Sequence, residues 1–248
     1  TQNNRTINEN NNNGLLLRHY WHRLFGTCST WLLWDIAFYG NKLFQSSFII
    51  ALCGEDTTLF ELSTAATLNA AVALLGYFAA AFIVDNPSVG RLRLQQWGFV
   101  LTGTLFTLCG YFKDDMSSNY LILLYFGSSF FGQCGPNATT FLIPAEIFPT
   151  DIRSTCHGLS AAAGKIGALI AAVLFHHLTE QSQLFFVSGM ASFLAAIITF
   201  LTIPDVTTLD LYELDRKWRM AKDGLEKDYT GTANNADYLS FWERKGWC

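Results

Sequence analysis

Six long apolar stretches, joined only by short polar connections, constrain this chain more than any other feature. They lie approximately at residues 24–52, 59–84, 94–112, 120–148, 154–178 and 184–203. Each reaches the ~20 residues that a helix needs to cross a ~30 Å hydrocarbon core. A soluble domain has room to bury one such helix, not six in succession. Lipid offers no partner to backbone N–H and C=O groups, so spans of this kind satisfy their hydrogen bonds internally, as helices. The fold class that follows is all-α. A polytopic bundle of six transmembrane helices is expected over residues 23–203, between a polar linker at 1–22 and a polar tail at 204–248.

The linker "TQNNRTINENNNNG" is Asn-rich and of low complexity, with too little apolar surface to fold alone. It precedes the first apolar run, so no signal peptide is visible. The chain starts at Thr1 and reads as a piece of a longer protein. Its net charge of −4 gives no reason to expect nucleic acid as a partner. Six cysteines show no CxxC spacing, and most fall inside apolar runs. They read as small buried hydrophobes rather than as disulfides or metal ligands. No metal and no cofactor is expected. Asn4 and Asn137 match the glycosylation pattern, but the topology places one in the cytosol and the other inside the membrane.

Lys and Arg set the orientation. Arg18 and Arg23 precede the first span, Arg91 and Arg93 separate the second from the third, and Arg153 separates the fourth from the fifth. The tail adds Arg216, Lys217 and Arg219, whereas the opposite side has only Lys113 in a loop. The basic side is expected to be cytoplasmic, with both chain ends there and the plasma membrane as the expected location.

Within the first span, "WLLWDIAFYG" sets an acid among aromatics. Trp31, Asp35 and Tyr39 are four residues apart and so share one helical stripe. A carboxylate at mid-membrane costs at least ~2.5–3.5 kcal/mol on the insertion scale, so it faces a cavity or a partner. Lys165, in "SAAAGKIGALIAA", is a second charge deep in a span, and its small neighbours allow close helix packing. Two opposite charges in different spans suggest an anion site with an acidic group beside it. A direct Asp35–Lys165 pair is the alternative.

"GQCGPNATTFLIPAEIFPTDIRST" covers the fourth span and the turn after it. Gly135, Pro136 and Pro144 break or kink a helix, and such breaks at membrane depth belong beside a cavity. Asn137 adds an amide there, able to donate to an oxyanion. Glu146 and Arg153 bracket the cytoplasmic end, where they can pair with each other and with Arg91.

These residues carry a resemblance. "GPNATTFLIPAEIFPTDIRSTCHGLSAAAGKIGA" resembles the signature of the phosphate:proton symporters of the major facilitator superfamily, the fungal and plant high-affinity type. "WLLWDIAFYGNKLFQ" resembles that family's seventh helix, and "IPDVTTLDLYELDRKWR" its C-terminal end. The match runs from about residue 24 to residue 219. Lys42, and the loop "DNPSVGRLR", depart from the family pattern.

The family has twelve helices in two halves, and this chain resembles the second. The resemblance implies that Trp31, Asp35, Tyr39 and Asn137 line a phosphate site with Lys165 close by. It also implies that Asp35 is the proton-linked acid. The rest of the site would come from the first half. The function expected is secondary transport of inorganic phosphate with protons across a lipid bilayer, not enzymatic catalysis. The cytoplasmic charges Arg91, Glu146 and Arg153 would gate it. The competing readings are a porter for another solute, such as a sugar or an organic anion, and a phosphate sensor that signals through its tail.

Overall fold

A computed structural model describes residues 14, 18–54, 57–178 and 180–246, with the side chains of 51–53 and 181 left aside. Most of the Asn-rich linker therefore lies outside the described residues. Among the described residues there are helices and turns but no strand.

The first span is two helices, α1 (Trp21–Leu43) and α2 (Gln45–Cys53), interrupted at Phe44. Helix α3 (Leu59–Ile83) starts on a reciprocal cap: Thr58 Oγ1 accepts from the Glu61 N–H, and the Thr58 N–H donates to the Glu61 carboxylate at 2.8 Å. This satisfies donors that the first helical turn otherwise leaves without partners. Helix α4 covers Gly90–Tyr111. The fourth span is α5 (Ser118–Cys134) and α6 (Pro136–Glu146), divided at Gly135 as the sequence leads one to expect. Pro136 opens α6 at a position where no intrahelical N–H is required. Pro144, by contrast, stays inside α6, two residues before its end.

Helix α7 (Thr150–His177) carries Asp151 in its first turn and His176 and His177 in its last, acid and base at the ends that suit the helix dipole. Helix α8 covers Gln181–Thr202. Three helices, Leu59–Ile83, Thr150–His177 and Ser182–Thr202, are long and apolar enough to cross a membrane unaided. The others are divided, or carry charge: α1 holds Arg23, Asp35 and Lys42.

The six spans alternate in direction. At one end Tyr20, Ile143, Ile152 and Ile203 share a core with Leu214 and Trp218 of the tail. At the other end Phe48, Cys109, Leu121, Phe175 and Leu184 meet. Between them Trp34 packs against Phe99, Ala195 and Ala196. Unlike a soluble protein, the bundle is apolar outside as well as inside, and buries polar groups in pairs. Gln95, Thr199, Asn41 and Ser188 are buried and bonded to one another across helices, as in Gln95 Nε2 to Thr199 Oγ1 at 3.0 Å and Asn41 Nδ2 to Ser188 Oγ at 3.0 Å. Leu59, Phe60, Phe82 and Met190 stand outward, each more than 70% exposed. Lipid is the solvent that suits such a surface. Cys28, Cys109, Cys134 and Cys156 are free thiols inside the bundle.

Backbones approach closely at two crossings. A Cβ on Gly135 would lie 2.7 Å from the Gly98 Cα, and one on Gly167 would run into the Leu32 carbonyl. Small residues at helix crossings are how membrane helices gain packing contacts.

The tail folds back on the bundle. Asp210 caps α9 (Leu211–Lys222) by accepting from the Tyr212 N–H at 2.9 Å. Leu214 and Trp218, one turn apart, are its buried face. Trp218 and Lys222 both donate to Asp151 at the start of α7, at 3.2 and 3.0 Å. A short helix, α10 (Phe241–Arg244), ends the described chain.

Candidate transport site

Helix α1 turns the stripe of Trp31, Asp35 and Tyr39 toward α7. Lys165 Nζ donates to the Tyr39 hydroxyl at 3.0 Å and lies 4.8 Å from the Tyr39 ring centroid. It is 3.6 Å from Asp35 Oδ2, within ion-pair range but too long for a hydrogen bond. Asp35 is 4% exposed, whereas the Lys165 side chain is 64% exposed. The acid is recessed and the ammonium stands in front of it on an open face. An ammonium has three donors, and the Tyr39 bond occupies one. Gly164 makes this meeting possible, because a Cβ there would strike the Trp31 indole and come within 2.9 Å of Asp35 Oδ2.

Trp31 closes the stripe at its other end. Its ring centroid is 6.2 Å from that of Phe141 and 5.7 Å from that of His157, and these two are 4.8 Å apart. His157 Nε2 is buried without a hydrogen-bond partner.

Asn137 sits just after the break at Gly135 but does not join Lys165. Its Oδ1 accepts from Trp34 Nε1 at 2.8 Å, and its Nδ2 donates to the Tyr77 hydroxyl. The amide thus ties α1, α3 and α6 together. Tyr77, on a shallow recess of about 400 Å³ shared with Ala81 and Phe141, carries that polarity toward the open side. Sequence reasoning found neither Trp34 nor Tyr77. Trp34 follows Trp31 by one turn, and that spacing was the available signal.

At the end where α3 meets α4, Arg91 makes two bonds to Glu146, at 2.9 and 3.1 Å. It also pairs with Asp85 at 2.8 Å and donates to the Val84 carbonyl at 3.0 Å. Arg153 does not join this group. It donates to the Phe148 carbonyl at 3.0 Å, and its Nη2 is buried without a partner. Pro149 starts α7 at this point, and the new helix turns Arg153 back over the preceding residue.

Six alternating spans, one broken beside a polar group and another carrying a recessed acid behind an exposed cation, define a polytopic helical membrane protein with a polar face. The family model described as sugar (and other) transporter matches residues 8–218, and the chain belongs to that family. Curated relatives narrow the likeness. The chain is 38% identical over 223 residues to a probable inorganic phosphate transporter 1-6 of Arabidopsis thaliana, covering 80% of this chain and 41% of that protein. It is 36% identical over 217 residues to inorganic phosphate transporter 1-11 of Oryza sativa subsp. japonica, covering 79% and 38%. The chain thus spans about two fifths of the length of these relatives, whose shares are 41% and 38%.

Proposed function

We propose that this chain is the C-terminal half of a proton-coupled inorganic phosphate transporter, acting with a second six-helix half. The observation that carries the reading is the Lys165 ammonium beside the Tyr39 hydroxyl and in front of Asp35, in a chain whose relatives are named inorganic phosphate transporters. Phosphate would dock against Lys165 and Tyr39, with Trp31 beside it and the Asn137–Tyr77 pair farther along the same face. The open side of Lys165 fits a central cavity between two halves, each supplying one wall. A single Lys with neutral donors suits a site that must release its anion better than a tight Arg clamp does.

Asp35 is the proton carrier in this reading. Phosphate adds negative charge in front of a recessed carboxylate and favours its protonated form. Proton and phosphate then strengthen each other's binding equally. Deprotonation toward the cytosol restores the carboxylate, which repels the anion. The Arg91–Glu146 pair locks helix ends in one state and parts in the other. Both described ends of the chain would be cytoplasmic, in the plasma membrane.

Uptake of labelled phosphate into vesicles holding the complete transporter tests the reading, with sulfate and glucose as competitors. Phosphate accumulation driven by an acidic outside is expected, and displacement by glucose but not by excess phosphate would overturn it. This chain alone, with one wall of the cavity, is expected to give no uptake above empty vesicles. A cysteine introduced at Ser117 should label from outside intact cells and one at Ser88 should not. The reverse pattern would invert the topology.

A further inference from the structure

A cavity of about 400 Å³ lies between the start of α1, helix α9 and the C-terminal segment, at the opposite end of the molecule from Phe48 and Phe175. Its size falls within the ~300–1,000 Å³ of small-ligand sites. Arg18, His22 and Lys217 line it together with the acids Glu226 and Glu243. Both acids are already engaged. Glu243 accepts from Arg23 at 2.7 and 3.0 Å, and Glu226 pairs with His19 at 3.3 Å. Among the described residues neither Arg18 nor Lys217 has an ion pair or hydrogen bond. Burial, and then the charge of Arg23, hold the Lys217 ammonium below its usual range, with Glu243 and Glu226 acting the other way.

His22, which also lines this cavity, supplies a second observation. His22 is 2% exposed. Its Nε2 stands 3.1 Å from Glu243, and its Nδ1 is buried with no partner at all. A buried ring nitrogen without a partner is costly unless something fills the place beside it.

We propose that this cavity is a second anion site, separate from the transport site, that takes a phosphoryl group. Arg18 and Lys217 can donate to phosphoryl oxygens, and His22 Nδ1, with Nε2 turned to Glu243, can accept from a P–OH, which a hydrogen phosphate offers and an ionised carboxylate does not. The phosphoryl group has two possible sources, free phosphate or the headgroup of a phosphoinositide. Trp21, 40% exposed and next in sequence to His22, packs 6.0 Å from Trp242, the neighbour of Glu243. Aromatic side chains of this kind belong at headgroup depth. The site does not depend on the transport reading, and its test is arranged to keep the two apart.

The test uses the complete transporter carrying Lys165→Met, so that phosphate binding at the proposed transport site is weakened. In phosphatidylcholine nanodiscs, binding of labelled inorganic phosphate measures the free anion. In nanodiscs doped with phosphatidylinositol 4-phosphate, a rise in melting temperature measures the lipid. At least one response is expected, and adding Arg18→Gln and Lys217→Gln should weaken it by roughly tenfold or more, as loss of charged hydrogen bonds does. Among the described residues neither side chain makes a hydrogen bond or ion pair, so the added changes should shift the melting temperature in plain phosphatidylcholine little. The His22 imidazole resonance gives a readout that needs no variant, and it should move when the responding ligand is added. No response from either source, a response that survives both added substitutions, or a still His22 signal would overturn the site. Loss of transport alone, with these responses intact, would bear only on the transport reading.

Discussion

Arg23 in the first span and Glu243, 220 residues later, are joined by a 2.7 Å bond that pins the end of the described chain to the start of the bundle. Ser240 and Glu243 cap α10 reciprocally, with the Ser240 N–H donating to the same carboxylate at 2.6 Å. Burial pushes the Glu243 carboxyl upward, but the charge of Arg23, the His22 contact and the Ser240 N–H outweigh it and hold it well below the usual carboxylate range. A depressed folded-state value means that the stabilisation is complete above the unfolded value of about 4.3 and fades only as pH falls below it. The Arg23–Glu243 contribution should therefore hold from neutrality down to about pH 5. Glu243→Gln should free the α10 segment at every pH, at a cost of about 3–5 kcal/mol for a broken buried pair. Limited trypsin cleavage after Arg244 and Lys245 measures this. Equal cleavage of parent and variant at neutral pH would show that the pair does not hold the tail.

Lys165→Met keeps the length of the side chain and removes its charge. Loss of one charged hydrogen bond is worth about 1.5–3 kcal/mol, so phosphate affinity of the complete transporter should fall by roughly tenfold to a hundredfold. The protein should still reach the membrane, because an exposed cation on an open face supports no packing. Tyr39→Phe, which removes only the hydroxyl that Lys165 meets, should have a smaller effect in the same direction. Unchanged affinity in the Met variant would reduce Lys165 to a neighbour of Asp35.

Asp35→Asn mimics the protonated acid. It should bind phosphate yet lose accumulation driven by a pH gradient. Uptake into vesicles, with and without an imposed gradient, separates the two effects. An Asn variant that keeps the parent's dependence on the gradient would remove Asp35 from proton coupling.

The Arg91–Glu146 bonds predict a rescue. Glu146→Arg should impair transport, and adding Arg91→Glu should restore part of it. Adding Arg153→Glu instead should restore nothing, since Arg153 bonds to the Phe148 carbonyl and not to Glu146. Equal rescue by both would show that the contact is not specific.

Gly167→Ala drives a methyl group into the Leu32 carbonyl. Overpacking of this kind costs about 1–3 kcal/mol, so the melting temperature in detergent should drop measurably. An unchanged melt would mean that α1 and α7 can separate at no cost.

The spans were legible because the apolar runs have membrane length, and the break at Gly135 because glycine and proline stand together there. The Asp35–Tyr39–Lys165 meeting was legible in part: helical spacing gave the stripe, and two opposite charges deep in their spans suggested one site. Spacing says nothing about depth, so the recession of Asp35 behind Lys165 could not be read. Nor could the break at Phe44, which has neither glycine nor proline beside it and follows Gly40, whose missing side chain admits the Phe175 ring. The partners of Asn137 and Arg153 depend on helix rotation, to which a list of polar residues is blind. Arg23 and Glu243 were furthest from reach, because nothing local in sequence relates them.

The bare crossing of Gly98 and Gly135 sets how force passes through this half. With no side chain between the two backbones there is nothing soft to compress or to rotate, so the crossing acts as a fulcrum rather than a cushion. Gly167 against the Leu32 carbonyl is a second such point on the other side of the bundle. A bundle pinned at two bare crossings resists sliding of one helix past another there, so helix ends such as those that carry Arg91 and Glu146 can part only by tilting about these points.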